Sequence, residues 1–303
     1  MRALITGSRG FVGGWLCHYL SDQGDEVIEL REGLNLCDRE ALEEALGGIE
    51  IDVCYHLAAL SHVGASWSNP QLYFVNNVVG TANLVAVLAR LPQLPRLLHV
   101  SSSEVYGRVN GDDLPIEESQ PLRPVSPYAA SKASAEFASM QAWYGYGLPT
   151  VVARPFNHTG PGQSVDYLVP ALGARMVEAK ARGRSSLRVG NVDARRDFMD
   201  VRDVVRAYRL LAVHGVPGDA YNVCSGESVS VREIVGELSV ILDHQVDLEV
   251  DPVLVRPNDV EVVVGDPLKM TEVTGFHRQF SLHQTIAGVV EAIGGGRSPR
   301  PGD

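Results

Sequence analysis

The 303-residue sequence lacks several features that would place it in a specialised class of protein. Its four cysteines form no CxxC pair and have no histidine at a metal-ligand spacing, so we expect neither a disulfide framework nor a metal site. The net charge is −11 and no run of Lys or Arg occurs, so nucleic acid is not an expected partner. No apolar run approaches the length that crosses a membrane, and we expect no membrane partner.

The remaining composition is that of a globular protein. With 45% hydrophobic and 21% charged residues, the chain is long enough to bury a sizeable core. The first residues, "MRALITG", lead directly into a strand pattern, so we expect no signal or transit peptide. Scattered single cysteines are typical of a reducing compartment. The predicted location is the cytoplasm.

The first half alternates strand-length apolar runs with amphipathic helical stretches. The runs are "RALIT", "EVIEL", "IDVCYHLA", "RLLHVSS" and "PTVVARP". This rhythm predicts an α/β fold, a Rossmann-like doubly wound parallel sheet with helices on both faces. The rhythm loosens in the second half, which predicts a smaller α/β substrate-binding lobe at the C-terminal side.

The predicted domain boundaries follow that change. Residues 1–160 form the nucleotide-binding domain, to which 191–215 return. Residues 161–190 and 216–293 form the smaller lobe, and the Gly/Pro-rich tail 294–303 is predicted to be disordered.

Three glycines follow the first strand and open the first helix in "LITGSRGFVGGWL". Gly7, Gly10 and Gly13 permit a tight turn and let backbone N–H groups approach a pyrophosphate at a helix N-terminus. The strand–turn–helix context is the one that a dinucleotide-binding turn requires. We therefore predict a nicotinamide cofactor, with Phe11 and Val12 beside it.

The choice between NADP and NAD is set near the end of the second strand. Arg31 follows that strand and Arg9 lies within the glycine turn, and a guanidinium pairs well with a 2′-phosphate. Glu29 and Glu32 lie nearby and could instead accept the ribose hydroxyls of NAD. The two arginines favour NADP(H) over NAD(H).

A YxxxK pair lies on a predicted helix in "SPYAASK". Tyr128 and Lys132 are four residues apart, so both side chains share one helix face and can meet one ligand. An adjacent ammonium would lower the pKa of the phenol toward the working range for proton transfer at a carbonyl oxygen. The serines of "SSSEVYG" lie between this pair and the glycine turn along the chain.

Taken in order, the motifs resemble those of the extended short-chain dehydrogenases/reductases that act on nucleotide sugars. The motifs are "TGSRGFVG", "HLAAL", "VNNVVGT", "SSSEVYG", "SPYAASK", "RPFNHTGPGQ" and "RRDFMDVRDVVRAY", and the resemblance covers residues 1 to about 275. It implies that Ser102 polarises the sugar oxygen, Tyr128 is the acid/base, and Lys132 holds the ribose. Ser101 or Ser103 could take the place of Ser102.

The same resemblance implies further contacts. Beside the cofactor it assigns Asn35, Leu36, Leu57, Ala58, Ala59, Asn77, Ser101, Pro155 and His158. Beside the substrate it assigns Ser61, Ser103, Asn157, Val169, Arg196 and Arg256, the two arginines at the diphosphate.

Glu104 is the residue on which two related activities differ. The motifs "FNHTGPGQ" and "RPNDV" resemble GDP-6-deoxy-4-keto-hexose reductases, which would reduce the C4 ketone of GDP-4-dehydro-6-deoxy-D-mannose to GDP-D-rhamnose or its C4 epimer. GDP-mannose 4,6-dehydratases share the Ser-Glu pair and would use Glu104 as a base. The chain length and the turn "SRGFVG" favour the reductase, in which Glu104 contacts the sugar. A 4-epimerase and a non-catalytic NADP-binding regulator are further alternatives.

Two helical stretches, "PQLYFVNNVVGTANLVAVLARL" and "SPYAASKASAEFASMQAWYGY", are apolar over more than one face. Such a helix must bury a second face. In relatives this surface forms a four-helix bundle across a two-fold axis, so the resemblance implies a homodimer.

Overall fold

A six-stranded parallel sheet forms the centre of the computed structural model, which describes residues 1–254 and 260–295. Its strands are β1 (Arg2–Thr6), β2 (Glu26–Glu29), β3 (Val53–His56), β4 (Arg96–Val100), β5 (Thr150–Pro155) and β9 (Ala220–Val223). Their order in the sheet is β2-β1-β3-β4-β5-β9. The predicted α/β class with a parallel central sheet is confirmed.

Helices cover both faces of this sheet. On one face lie α1 (Phe11–Asp22), α8 (Val201–His214) and α10 (Leu268–Thr274); on the other lie α2 (Arg39–Leu46), α5 (Gly80–Leu88) and α6 (Pro127–Tyr146). Strands buried on both faces are expected to be apolar throughout, which explains continuous runs such as "VCYH" and "TVVARP". Two separate apolar cores result, one on each side of the sheet.

A second, smaller unit lies beside the sheet and has its own core. Its helices are α7 (Leu168–Ala181), α9 (Val231–Leu242) and α11 (Leu282–Gly294). Its strands are β6 (Asn157–Thr159), β7 (Ser186–Val189), β8 (Arg195–Asp200), β10 (Ser228–Ser230), β11 (Asp247–Val250) and β12 (Val262–Val263). Strand β8 pairs with β6, β10 and β12, and β7 pairs with β11.

The chain crosses between the two units more often than the predicted boundaries allow. Strand β9 was predicted within the lobe segment 216–293, but it pairs in parallel with β5 and completes the main sheet. Within 191–215, α8 packs on the main sheet whereas β8 lies in the lobe. A short apolar run such as "AYNV" predicts a strand but not the sheet that the strand joins, because strand pairing depends on residues far away in the sequence.

One helical stretch departs from regular α geometry. After the short helix α3 (Val63–Ser66), helix α4 (Pro70–Phe74) continues through a π-helical turn (Val75–Val79) into α5. This 19-residue stretch, Pro70–Leu88, is long and apolar enough by composition alone to cross a membrane, contrary to the expectation from sequence. However, 44% of its apolar window is buried, and it packs on α6, as a core helix does.

Two sequence predictions concern residues that lie wholly or partly outside the described part of the chain. Arg256 lies outside the described residues. Of the tail 294–303, Gly294 ends α11 and Gly295 follows it, and the remainder lies outside the described residues.

Candidate active site

A cavity of about 730 Å³ lies between the carboxyl ends of the main-sheet strands and the smaller lobe. Strand order reverses between β1 and β3, and ligands of open α/β sheets bind at such a point. The wall on the sheet side is formed by residues that directly follow β1, β3, β4 and β5. The sheet topology therefore collects into one cavity segments that lie far apart in the sequence.

The glycine turn forms the part of this wall that follows β1. Gly7 has φ +76°, and a Cβ there would lie 2.8 Å from the backbone nitrogen of Ala58. A Cβ on Gly13 would lie 2.0 Å from the Gly7 carbonyl oxygen. Gly10 precedes α1 and offers no side-chain cap to the helix N–H groups. These are the conditions that a pyrophosphate cradle requires.

Most of the predicted site residues line this cavity together. They are Gly7, Gly10, Phe11, Val12, Gly13, Leu57, Ala58, Ala59, Ser61, Ser101, Ser102, Ser103, Glu104, Tyr128, Lys132, Pro155, Asn157, His158, Val169 and Arg196. Among the described residues, five predicted contacts lie outside the lining: Arg9, Arg31, Asn35, Leu36 and Asn77.

Ser102 and Tyr128 meet at the centre of the cavity. Ser102 begins the 3₁₀ turn after β4, and Tyr128 lies in the first turn of α6, which Ser126 caps. Burial raises the pKa of Tyr128 to about 12, while a hydrogen bond with the Ser102 side chain lowers it and the Glu104 carboxylate raises it. The phenol is therefore protonated at neutral pH and can act as an acid.

Lys132 lies one turn after Tyr128, where the sequence predicted that its ammonium would lower the tyrosine pKa, whereas burial raises that pKa. Its Nζ donates a hydrogen bond of 2.6 Å to the Val100 carbonyl oxygen. Burial lowers the pKa of Lys132 to about 8, and the Glu136 carboxylate opposes that shift. This hydrogen bond holds the ammonium against the end of β4.

Glu136 belongs to a buried ion pair behind the site. Nη2 of Arg154 lies 2.5 Å from Oε1 of Glu136, and Nη1 donates to the Tyr106 hydroxyl at 3.0 Å. Both charged side chains are at most 8% exposed. A paired, hydrogen-bonded carboxylate is the form in which a charge tolerates such burial.

Glu104 is an exposed carboxylate of the site, as is Asp166. It lies on the 3₁₀ turn Ser103–Tyr106, and its backbone nitrogen donates to Ser102 Oγ at 3.2 Å. The carboxylate lines the cavity with Ser102 and Tyr128, so it can accept hydrogen bonds from a polyhydroxylated ligand.

The segment after β5 forms the floor of the cavity. The His158 ring lies with Nδ1 3.0 Å from the Phe156 carbonyl oxygen, so Nδ1 carries the proton and Nε2 is the acceptor. Burial lowers the pKa of His158. Gln163, which sequence reasoning did not assign, donates to the His158 carbonyl oxygen at 3.1 Å and also lines the cavity.

The lobe contributes two guanidinium groups. Arg196 on β8 donates to the Val260 carbonyl oxygen at 2.7 Å, and Arg175 on α7 donates to the Arg188 carbonyl oxygen. Both line the cavity, although Arg175 was not predicted. The signal for Arg175 in the sequence is only a basic residue in an amphipathic helix. The two groups give the lobe side of the cavity the charge that a diphosphate needs.

A hydroxyl pair bridges the two sides of the cavity. Ser61 follows β3 and Tyr167 precedes α7, and their oxygens are 3.2 Å apart. Tyr167 belongs to no motif in the sequence. Its place at the cavity could not be predicted, because it depends on how the lobe docks against the sheet.

The residues outside the lining have other contacts. Arg9 pairs with the Glu32 carboxylate at 2.9 Å, with both side chains more than half exposed. Asn35 accepts from the Cys37 backbone nitrogen, and Leu36 packs against the core under α2. Asn77 is 1% exposed and bonds to Leu60 and to Ser131.

The residues present fit a dinucleotide. Two glycines leave the room that a Cβ would fill, and Ser101 Oγ is buried without a partner among the described residues. Orphaned polar atoms at a cavity are typical of a ligand site. Within the same part of the chain, no group of three His, Cys, Asp or Glu could hold a metal ion.

Comparisons with known proteins agree with this geometry. The chain is 33% identical over 293 residues to the GDP-6-deoxy-D-mannose reductase of Pseudomonas aeruginosa, covering 95% of this chain and 96% of that protein. It is 30% identical over 291 residues to the GDP-6-deoxy-D-talose 4-dehydrogenase of Aggregatibacter actinomycetemcomitans, covering 94% and 95%.

A solved structure and a family model extend the comparison. RMD from Pseudomonas aeruginosa complexed with NADPH superimposes with a TM-score of 0.91 at 31% identity, covering 96% of this chain and 98% of that one. The family model described as GDP-mannose 4,6 dehydratase matches residues 29–289. The chain belongs to the GDP-mannose 4,6 dehydratase family.

Proposed function

We propose that this protein is an oxidoreductase that reduces the C4 ketone of GDP-4-dehydro-6-deoxy-D-mannose, giving GDP-D-rhamnose or its C4 epimer. The observation that carries the proposal is Tyr128, a phenol that is protonated at neutral pH and hydrogen-bonded to Ser102 inside the cavity. The names of two relatives over nearly the whole chain support the substrate class.

In this reaction the protein supplies a proton and a polarising hydrogen bond. Ser102 donates to the C4 oxygen and Tyr128 transfers its proton to that oxygen as negative charge develops. A bound reduced nicotinamide supplies the hydride to C4. Gly7, Gly13 and Ala58 would hold the dinucleotide, and Arg196 and Arg175 would hold the diphosphate of the sugar nucleotide.

NADP(H) is the cofactor that we propose over NAD(H). Arg9, in the glycine turn, pairs with Glu32 through exposed side chains, and an exposed pair of this kind exchanges partners at little cost. Arg31, which follows β2, is also exposed. The solved structure of RMD from Pseudomonas aeruginosa, with a TM-score of 0.91 to this chain, is a complex with NADPH and supports the same choice. A 2′-phosphate would give Arg9 a stronger partner than Glu32.

A GDP-mannose 4,6-dehydratase is the second candidate. It is favoured by the exposed Glu104 carboxylate, which lies in the cavity with Tyr128 and could remove a proton beside a transient ketone. Such an enzyme oxidises and re-reduces within one cycle, so it consumes no cofactor overall.

One pair of assays distinguishes the reductase from the dehydratase. NADPH absorbance would be followed with GDP-4-dehydro-6-deoxy-D-mannose and, in parallel, with GDP-mannose, and each product identified. We expect NADPH oxidation with the keto sugar alone. Conversion of GDP-mannose to the keto sugar without net loss of NADPH would overturn the reductase. The Tyr128→Phe variant is the control for non-enzymatic oxidation.

We further propose a cytoplasmic homodimer that pairs through α4–α5 and α6. Apolar side chains are exposed on this face, including Val75 at 48%, Phe137 at 66% and Tyr144 at 75%. A second copy would cover them in a four-helix bundle. Sedimentation of the wild type and of Phe137→Glu tests this proposal, because a dimer that dissociates in the variant supports it and a monomeric wild type contradicts it.

A further inference from the structure

His56 is a buried histidine that neither lines the cavity nor belongs to the proposed chemistry. It is the last residue of β3 and is 3% exposed. The next residues, Leu57 to Ala59, form part of the cavity wall. A buried imidazole immediately behind that wall is well placed to control its position.

The hydrogen bonds around His56 fix its tautomer. Thr81 Oγ1 donates its only proton to the Asn77 carbonyl oxygen at 2.6 Å, so it must accept from His56 Nε2 at 2.8 Å. The opposite nitrogen, Nδ1, then accepts from the Thr6 hydroxyl at 2.7 Å. Burial, reinforced by the Lys132 ammonium, lowers the pKa of His56 to about 3, so the ring is neutral at physiological pH.

Through Thr6 this chain of hydrogen bonds reaches the cofactor cradle. Thr6 Oγ1 accepts from the Ala58 backbone nitrogen at 3.2 Å, and Thr6 directly precedes Gly7. Gly7 and Ala58 lie so close that a Cβ on Gly7 would be 2.8 Å from the Ala58 nitrogen. A small displacement of either backbone therefore changes the space left for a pyrophosphate.

Through Thr81 this chain of hydrogen bonds also reaches α6, the helix that carries Tyr128 and Lys132. Asn77 lies in the π-helical turn, where its Oδ1 accepts from the Leu60 nitrogen at 2.8 Å and its Nδ2 donates to Ser131 Oγ at 2.8 Å. Ser131 in turn donates to the Tyr128 carbonyl oxygen at 2.7 Å. The hydrogen bonds thus join the two cofactor-facing segments to the helix that carries Tyr128 and Lys132.

We propose that His56 is a positioning residue for the cofactor: its ring holds Thr6 and Thr81 at a fixed separation and thereby sets the distance between the glycine turn and the segment Leu57–Ala59. This role rests on the proposed nicotinamide cofactor. A side chain that fills the same space without hydrogen bonds leaves the buried Thr6 hydroxyl proton without its acceptor and removes the bond that Thr81 Oγ1 accepts. Such a loss costs enough to shift the backbone that these side chains hold.

His99 provides a matched control for the loss of a buried imidazole. It is 0% exposed on the neighbouring strand β4, and the two ring centroids are 5.5 Å apart. Its Nδ1 bonds to Ser139 at 3.0 Å, well along α6, and its Nε2 has no partner among the described residues. Replacing His99 therefore perturbs the same core without touching the cradle.

The test is a fluorescence titration of NADPH and NADH into the wild type, His56→Phe and His99→Phe, with no sugar nucleotide present and with Tm measured for each. We expect the Kd of the preferred cofactor to rise about fivefold or more in His56→Phe, and less than about twofold in His99→Phe. At saturating cofactor, the kcat of the two variants should agree within about twofold.

A second pair of variants preserves volume. Thr81→Val removes the hydroxyl that accepts from His56 Nε2 while keeping nearly the same side-chain shape. Thr159→Val is its control, because Thr159 is fully buried and its Oγ1 has no partner among the described residues. Thr81→Ser should restore binding. This pair decides the question if His56→Phe does not fold.

The outcomes distinguish failure of the positioning role from failure of the proposed cofactor. Equal cofactor affinity within each pair overturns the positioning role while leaving the nicotinamide cofactor intact. A wild type that binds neither NADPH nor NADH overturns the cofactor and the positioning role together.

Discussion

The two sides of the cavity are built in different ways. On the sheet side, each contributing segment directly follows a parallel strand, and the four segments appear in the sequence as recognisable motifs. On the lobe side, the contributing residues come from α7, β7, β8 and the start of α9, and few of them belong to any motif. Regular sheet topology therefore places the side on which we propose that the cofactor binds. The side proposed for the sugar nucleotide depends on how irregular elements dock.

Removing the acid on the sheet side is the largest expected effect. Tyr128→Phe deletes the proton donor but keeps the ring, so kcat for the keto sugar should fall by about 10²- to 10⁴-fold. The Kd values for cofactor and sugar nucleotide should change little. Steady-state kinetics with equilibrium titrations of both ligands checks this, and Tyr73→Phe, whose hydroxyl bonds to the His62 carbonyl oxygen, is the control. A variant that retains most activity would remove Tyr128 from the chemistry.

Removing charge on the lobe side should affect the other ligand. Arg196→Ala should raise KM for the sugar nucleotide roughly 10- to 100-fold, the range for a lost hydrogen bond to a charged group, with KM for NADPH unchanged. Arg175→Ala should act in the same direction. Arg182, which pairs with Glu178 on the surface of α7, gives the control variant Arg182→Ala. An increase in KM for NADPH instead would mean that the cofactor and the sugar nucleotide share these arginines.

Lys132, which the family resemblance places at the cofactor ribose, should set the alkaline limit of activity. The Lys132 ammonium, with a pKa of about 8, is present below that pH and is lost as pH rises through it, so kcat/KM should decline above pH ~8. The Glu136 carboxylate favours the ammonium, so Glu136→Gln should move this decline to lower pH. A pH–rate profile of both proteins, with thermal melts to confirm folding, measures the shift. An unchanged profile would show that another group sets the limit.

The exposed pair at the edge of the sheet side should have the smallest effect. Arg9→Ala should weaken NADPH a few-fold at most while leaving NADH unchanged, because an exposed charge contributes little and is screened by salt. Glu32→Gln should act in the opposite direction by freeing Arg9. Titrations at two ionic strengths measure both. Equal effects on NADPH and NADH would show that Arg9 does not recognise a 2′-phosphate.

Within the site, local motifs predicted the residues whose neighbours along the chain define their geometry. The glycine turn is an example, because strand, turn and helix are consecutive. Asn77 was expected near the catalytic helix, and it donates to Ser131 of α6. Its other partner, Leu60, follows from the π-helical turn, which no local pattern predicted. The hydrogen bond from Lys132 to the Val100 carbonyl oxygen could not be predicted, because it depends on how far α6 lies from β4.

The sequence by itself determined the alternating strands and helices, the dinucleotide turn and the Tyr128–Lys132 pair, because each depends on spacings of a few residues. The tertiary structure alone decided that β9 joins the main sheet, that Arg175 and Tyr167 reach the cavity, and that burial raises the pKa of Tyr128 above its ordinary value. These features arise from contacts between residues far apart in the chain, and the pKa of a side chain depends on the water and charges that such contacts leave around it.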